Sequence, residues 1–220
     1  MTIIYTLLVL ISGYILGSIP FGVVIVKIAS GKDVRLIGSG RVGGTNVMRA
    51  AGFFAGFLTG VLDVLKGILT AWIANLLLPG NELVKVFGVA LVVLGQIHSI
   101  FLIERNAEGK IHLRGGAGGA ASLGSAMALW FPAWMFIIPL GVFVYIFVGY
   151  ASLTTITIAL VGLIVFIVRY ILGLGPWQHI LFSVMALGLV LYALQPNLVR
   201  LKNGTERMVG LRAYRAKKKE

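Results

Sequence analysis

The sequence predicts an all-α integral membrane protein of about seven transmembrane helices, with the N-terminus outside and the C-terminus in the cytoplasm. Three observations predict it. Of the 220 residues, 59% are hydrophobic and only 12% are charged, against roughly 25% charged in a soluble domain, and mean hydropathy is +0.99. The apolar residues gather in runs near the ~20 residues that cross a bilayer core. The charge lies between those runs, with 19 Lys and Arg against 7 Asp and Glu. A Cys count of 0 excludes a disulfide scaffold, a thiol nucleophile and a thiolate metal site, and the 29 glycines follow no fixed collagen-like period.

Taken in order, the chain opens with an apolar stretch that lacks the charged n-region and small-residue cleavage site of a signal peptide, so Ile3 to Ile28 reads as the first span. The next runs are Phe54 to Leu78, ended by Pro79-Gly80, and Leu83 to Ile103, ended by a charged loop. Ala117 to Phe131 is short and rich in small residues, which suits a half-spanning or tightly packed helix; Pro132 separates it from Ala133 to Tyr150. Ser152 to Leu172 and Trp177 to Leu194 complete the set. Trp72, Trp130, Trp134 and Trp177 read as interfacial anchors.

Three basic segments orient these spans. The first loop, Ser30 to Gly52, carries Lys32, Arg35, Arg41 and Arg49; the third, Glu104 to Gly116, carries Arg105, Lys110 and Arg114; the C-terminal segment is dense in Lys and Arg. With seven spans all three fall on one side, and the excess of Lys and Arg makes that side the cytoplasm. The expected organisation is a membrane domain over residues 1–200 and a basic tail over 201–220. Such clusters suit anionic lipid and phosphorylated substrates rather than nucleic acid.

The first basic loop reads Gly38-Ser39-Gly40-Arg41-Val42-Gly43-Gly44-Thr45-Asn46-Val47-Met48-Arg49. Glycines let backbone N–H groups approach an anion, and Ser39, Thr45, Asn46, Arg41 and Arg49 add donors and charge. The pattern is neither a Walker loop nor a dinucleotide fingerprint; it fits either an anion site or a flexible basic loop. A second glycine-rich stretch, Arg114 to Ser122, fits either an anion site or close helix packing. Asp63 and Lys66 lie three apart on one helical face and can pair within the membrane, as a functional pair or as a brace. His98, His112 and His179 show no metal-ligand spacing, so no metal is expected.

These pieces together resemble the acyl-phosphate-dependent glycerol-3-phosphate acyltransferases of bacterial membranes, the PlsY family. The resemblance rests on Gly17-Ser18-Ile19-Pro20, the Gly38 to Arg49 loop, Leu62-Asp63-Val64-Leu65-Lys66-Gly67, Arg114-Gly115-Gly116 with Gly118, Tyr150-Ala151-Ser152-Leu153, and Asn197-Leu198-Val199-Arg200-Leu201 followed by Gly204-Thr205-Glu206. It implies transfer of a fatty acyl group from acyl phosphate to the 1-hydroxyl of glycerol 3-phosphate, giving lysophosphatidic acid and phosphate. No cofactor and no protein nucleophile are implied, and an acyl-phosphate-producing enzyme is a candidate partner. The resemblance assigns Ser39, Gly40, Thr45, Asn46, Gly115, Gly116 and Gly118 to acyl phosphate. It assigns Arg49, Ser152 and Asn197 to glycerol 3-phosphate. Asp63, Lys66, Arg114, Arg200 and Glu206 take supporting roles, and Ser39 and Arg41 stabilise the transition state.

The sequence departs from the family pattern at four of these places. The lysine of the family's Gly-Gly-Lys-Gly is Ala117, its histidine before the C-terminal Asn is Leu194, its Gly-His pair is Gly95-Gln96, and its first-loop Asn is Arg41; about nine residues near Glu104 to His112 read as an insertion. Two readings follow: an acyltransferase whose phosphate-facing cation has moved to Arg41, Lys110, His112 or Arg114, and a catalytically degenerate relative that binds phosphorylated lipid or partners an active acyltransferase.

Overall fold

A computed structural model describes residues 1–105 and 109–218. Among the described residues the regular structure is helical apart from one small hairpin. The first apolar run forms two helices, α1 (Thr2–Ser18) and α2 (Phe21–Ser30), because Pro20 has no amide hydrogen to continue the ladder. The first basic loop carries the short α3 (Gly44–Ala51), and Gly52 turns the chain into α4 (Phe53–Leu77). Then come α5 (Glu82–Ile97), a two-stranded antiparallel hairpin of β1 (Ile103–Arg105) and β2 (Ile111–Leu113), and α6 (Gly119–Leu129). After a 3-10 turn at Phe131–Ala133, α7 (Trp134–Phe143) runs into a π-helical stretch at Val144–Val148. The chain ends with α8 (Ala151–Ile171), α9 (Gln178–Lys202) and the basic α10 (Gly210–Lys217).

Each predicted apolar run contains a helix. Five segments are long and apolar enough to cross a membrane: Thr2–Ser30, Phe53–Leu77, Phe131–Val148, Ala151–Ile171 and Gln178–Lys202. The predicted span Leu83 to Ile103 stops as a helix at Ile97, and its last residue already belongs to β1. At 1.5 Å per residue α5 is about 24 Å long and α6 about 16 Å, short of the ~30 Å core. Helix α9 continues past the predicted run, to Lys202. Part of the expected insertion forms the hairpin, and residues 106–108 lie outside the described residues.

The burial pattern inverts that of a water-soluble bundle. Helix α4 buries Thr59, Asp63, Lys66 and Thr70 and exposes Phe57, Leu65, Leu69, Trp72 and Leu76. Large apolar side chains face lipid, and polar groups find partners inside. Between helices the hydrophobic effect gives little drive in lipid, so close backbone approach substitutes for it. A Cβ on Gly17 would lie 2.3 Å from the Val92 carbonyl oxygen, and one on Gly124 would lie 2.0 Å from that of Val64. These contacts lock α1 to α5 and α6 to α4.

The break between α1 and α2 leaves carbonyls without helical donors deep in the molecule. The Lys66 ammonium supplies them, donating to Ile19 O at 2.7 Å and Gly17 O at 3.2 Å while pairing with Asp63 at 2.7 Å. Gln96 completes the network, accepting from Lys66 at 2.5 Å and donating to Asp63 at 2.9 Å. Its own carbonyl accepts the Gly116 amide at 2.7 Å. An intramembrane ion pair is thereby tied to the glycine-rich third loop.

Candidate active site

The first basic loop is shaped by one buried amide. Asn46 Nδ2 donates to the carbonyls of Val34, Ile37 and Arg41 at 2.9–3.1 Å, and its Oδ1 accepts the Ser39 amide at 3.1 Å. The backbone wraps around this side chain through Gly38 and Gly40, at φ +54° and +71°, where a Cβ is strained. A Cβ on Gly38 would also fall 2.4 Å from Asn46 Oδ1. Asn46, expected to hold a ligand, is therefore fully engaged in holding the loop.

The loop closes over a cavity of about 660 Å³ between α3, α4, α6, α8 and α9. The beginnings of three helices line it: Gly44 and Thr45 of α3, Gly119 and Ala120 of α6, Ala151 and Ser152 of α8. None of these N-termini has a side-chain cap, so first-turn N–H groups and the positive ends of three helix dipoles face one space. The Ser152 hydroxyl is buried there with no protein partner among the described residues. Ser39, Arg49 and Arg207 line the same cavity, and Phe57, Leu65, Leu123, Met127, Ile138 and Ile158 form its apolar wall. Phe57 and Leu65 are exposed on the outer face of α4, so this wall borders the lipid.

Arg41 spans from this loop to two other segments. Its guanidinium donates to Gly116 O at 3.0 Å, to Asn197 Oδ1 at 3.1 Å, and to Ala193 O. Asn197 Nδ2 donates to Glu206 Oε1 at 2.8 Å, and Glu206 Oε2 accepts from Arg200 at 3.0 Å. Among the described residues Arg41 has no carboxylate of its own. Burial, and then the repulsion of Arg200, pull its guanidinium below the usual range, with Glu206 opposing. The cation is held by carbonyl dipoles in a partly dry place, where an anion is the missing counter-charge.

Residue by residue, the cavity gathers Ser39, Arg41, Thr45, Asn46, Arg49, Asp63, Gly118, Ser152, Asn197 and Glu206. It does not gather Gly40, Arg114, Gly115, Gly116 and Arg200, which line a neighbouring cavity on the other side of Arg41. Gly115 and Gly116 are pressed against the end of α5, where a Cβ on Gly115 would meet Ile97 O at 2.2 Å. They place the loop rather than face the first cavity. Lys66 is buried below the site in the ion pair with Asp63. Arg207, unremarked in the sequence, joins the lining; its position beside Glu206 in the C-terminal motif was the available signal.

Comparison with known proteins decides the family. The glycerol-3-phosphate acyltransferase family matches residues 7–204. The chain belongs to that family. It is 34% identical to the glycerol-3-phosphate acyltransferase of Syntrophomonas wolfei over 88% of this chain and 91% of that one, and 35% identical to one from Thermus thermophilus over 93% and 95%. The crystal structure of PlsY (YgiH), an integral membrane glycerol 3-phosphate acyltransferase, in its glycerol 3-phosphate form superposes with a TM-score of 0.77 at 34% identity, covering 93% of this chain and 96% of that chain. The lysophosphatidic acid form gives a TM-score of 0.74.

Ala117 and Leu194, two of the positions at which the sequence departs from the resemblance, belong to one apolar cluster. Leu194 is buried in a small apolar cluster with Ala159 and Val190, and Ala117 packs against that cluster. Arg41 bonds Gly116 and Ala193, the residues just before them. At these two positions this chain carries apolar side chains of one cluster, flanked by the Arg41 guanidinium from the first loop.

Proposed function

We propose that this membrane acyltransferase of phospholipid synthesis takes its acyl group from an acyl phosphate and transfers it to the 1-hydroxyl of glycerol 3-phosphate, with Arg41 as the cation that faces the transferred phosphate. The observation that carries the reading is the mixed lining of the cavity, which combines Arg41, Arg49, Arg207 and three helix N-termini with an apolar wall bordering lipid. A phosphorylated donor with a fatty tail has that polarity. Arg49, Ser152 and Arg207 then hold the phosphate of glycerol 3-phosphate, and Ser39 with the Gly44 and Thr45 amides holds that of the donor.

The donor is already activated, so the residues have only to orient and to stabilise charge. The 1-hydroxyl oxygen attacks the acyl carbonyl carbon, and the bond from that carbon to the bridging oxygen breaks. Inorganic phosphate leaves with the electron pair, and the hydroxyl proton passes to it. Lysophosphatidic acid remains in the apolar half of the cavity.

The reading places the cavity on the cytoplasmic side of seven crossings, with α6 traversing only part of the bilayer. Its support is the direct bonding of Arg41 in the first basic segment to Gly116 in the third loop and Asn197 near the C-terminal one. Those segments share one end of the bundle, and that end carries the excess of Lys and Arg.

Purified protein in lipid, given acyl phosphate and glycerol 3-phosphate, should release phosphate and lysophosphatidate in equal amounts. Arg41→Ala should lower kcat by about 100- to 1000-fold, the loss expected for one preorganised donor to transition-state charge. Adding Ala117→Lys with Leu194→His should restore part of it. Turnover indifferent to Arg41→Ala removes that cation from the mechanism; turnover with an acyl thioester but not with acyl phosphate removes the donor.

A further inference from the structure

The neighbouring cavity, on the far side of Arg41, has no role in the acyl transfer derived above. It holds about 360 Å³, against about 660 Å³ for the first. Arg41, Arg114 and Arg200 line it with His98, His112 and Ser39, and among its described lining residues there is no carboxylate. The nearest carboxylates are already shared. Glu104 pairs with Arg35 at 3.1 Å and with Arg114 at 3.3 Å, and Glu206 is taken by Arg200 and Asn197. The cations around the space therefore outnumber the anions that serve them.

We propose that this second cavity binds a phosphate dianion, inorganic or as a small phosphomonoester, at a site separated from the acyl-transfer cavity by the Arg41 guanidinium. The geometry suits that ligand. Guanidiniums present planar paired donors that match phosphate oxygens, and here they approach from three segments: Arg41 from the first loop, Arg114 from the end of the hairpin, Arg200 from α9. Gly40 leaves room for the fork, since even a Cβ there would stand 3.6 Å from Arg114 Nη2. Arg41 and Ser39 line both cavities, whereas Gly116 and Ala193, which accept from Arg41, line only the second, and Asn197 only the first. One cation thus forms the wall between two anion-binding spaces. An anion in the second competes for the donors that face the first, so phosphate released by the reaction, or glycerol 3-phosphate on its way in, passes the same guanidinium.

The site is tested by equilibrium dialysis of radiolabelled inorganic phosphate against the full chain in nanodiscs of uncharged lipid, so that no headgroup supplies the binding charge. Wild type should bind two classes of phosphate. Arg114→Gln should weaken one class at least tenfold and leave the other, while Arg49→Ala, whose residue lines only the first cavity, should do the reverse. Arg114 also pairs with Glu104, so His112→Asp serves as a second variant that spares the pair and sets a carboxylate against the cavity; it should weaken the same class. A single class, or two classes that neither Arg114→Gln nor His112→Asp changes, overturns the proposal. Displacement of the Arg114-dependent class by glycerol 3-phosphate supports the site as one for phosphomonoesters; lack of displacement supports it as one for free phosphate. Turnover in the same preparation keeps the two conclusions separate. One class with full turnover removes the second site alone, and two classes without turnover remove the reaction and leave the site.

Discussion

Asn46 shows how a residue that looks like a ligand donor acts instead as a scaffold. Its amide satisfies three carbonyls and one N–H of the loop that carries Ser39 and Arg41. Asn46→Leu keeps the volume and leaves those buried groups without partners, each at about 1–3 kcal/mol. The variant should melt well below wild type in detergent and lose turnover in proportion to the fraction unfolded. Asn46→Asp retains the acceptor for the Ser39 amide but sets a carboxylate against three carbonyls, and should be no better. A melting temperature within a degree of wild type for either variant assigns Asn46 to the ligand after all. Ala117 and Leu194 are a second lesson at this scale. Because Ala117 packs against the apolar cluster that holds Leu194, a lysine at 117 alone sets an ammonium against apolar side chains, so the partial rescue expected in the Arg41→Ala background depends on the paired Leu194→His.

Among the elements, the broken first span governs how the loops sit. Pro20 frees carbonyls that Lys66 answers, and Lys66 in turn is neutralised by Asp63 and bridged by Gln96 to Gly116. Removing one partner of a buried pair costs about 3–5 kcal/mol because the other charge is stranded. Lys66→Met should therefore destabilise more than the double variant Asp63→Leu/Lys66→Met, in which only the Gly17 and Ile19 carbonyls and the Gln96 amide lose partners. Thermal melting of the two single variants and the double closes the cycle; strictly additive losses contradict the coupling. The shortness of α6 has a local cause as well. Gly118, at φ +83°, starts it, and the Trp130-Phe131-Pro132 turn ends it after 11 residues, so the small residues between serve contact with α4.

For the molecule as a whole, the proposed site joins the first basic segment, the third loop and the end of α9 with the N-termini of α3, α6 and α8, and basic segments do not cross a bilayer. The topology can be read directly, since the natural chain has no Cys. Single cysteines replacing the exposed Lys32, Gly109 and Asn203 should react with a membrane-impermeant maleimide only from the cytoplasm, and one replacing Gly80 only from outside. Labelling of Gly109→Cys and Lys32→Cys from opposite sides breaks the seven-crossing arrangement.

Helical class, apolar runs and the polarity of the loops follow from the sequence by itself, because each depends on local composition: no run such as Ser152 to Leu172 has another stable state in lipid than a helix. The glycine-rich basic segments were legible too, while their composition alone left an anion site, a flexible basic loop and close helix packing all open. What the tertiary structure alone decided is which of those residues meet. Asn46 turns inward on partners only 5 to 12 residues away, Gly115 and Gly116 line a second cavity against the end of α5, and Arg41 reaches Gly116 and Asn197 across 75 and 156 residues. Hydropathy carries no record of such pairings, because a carbonyl or an amide finds its partner only when the helices have packed.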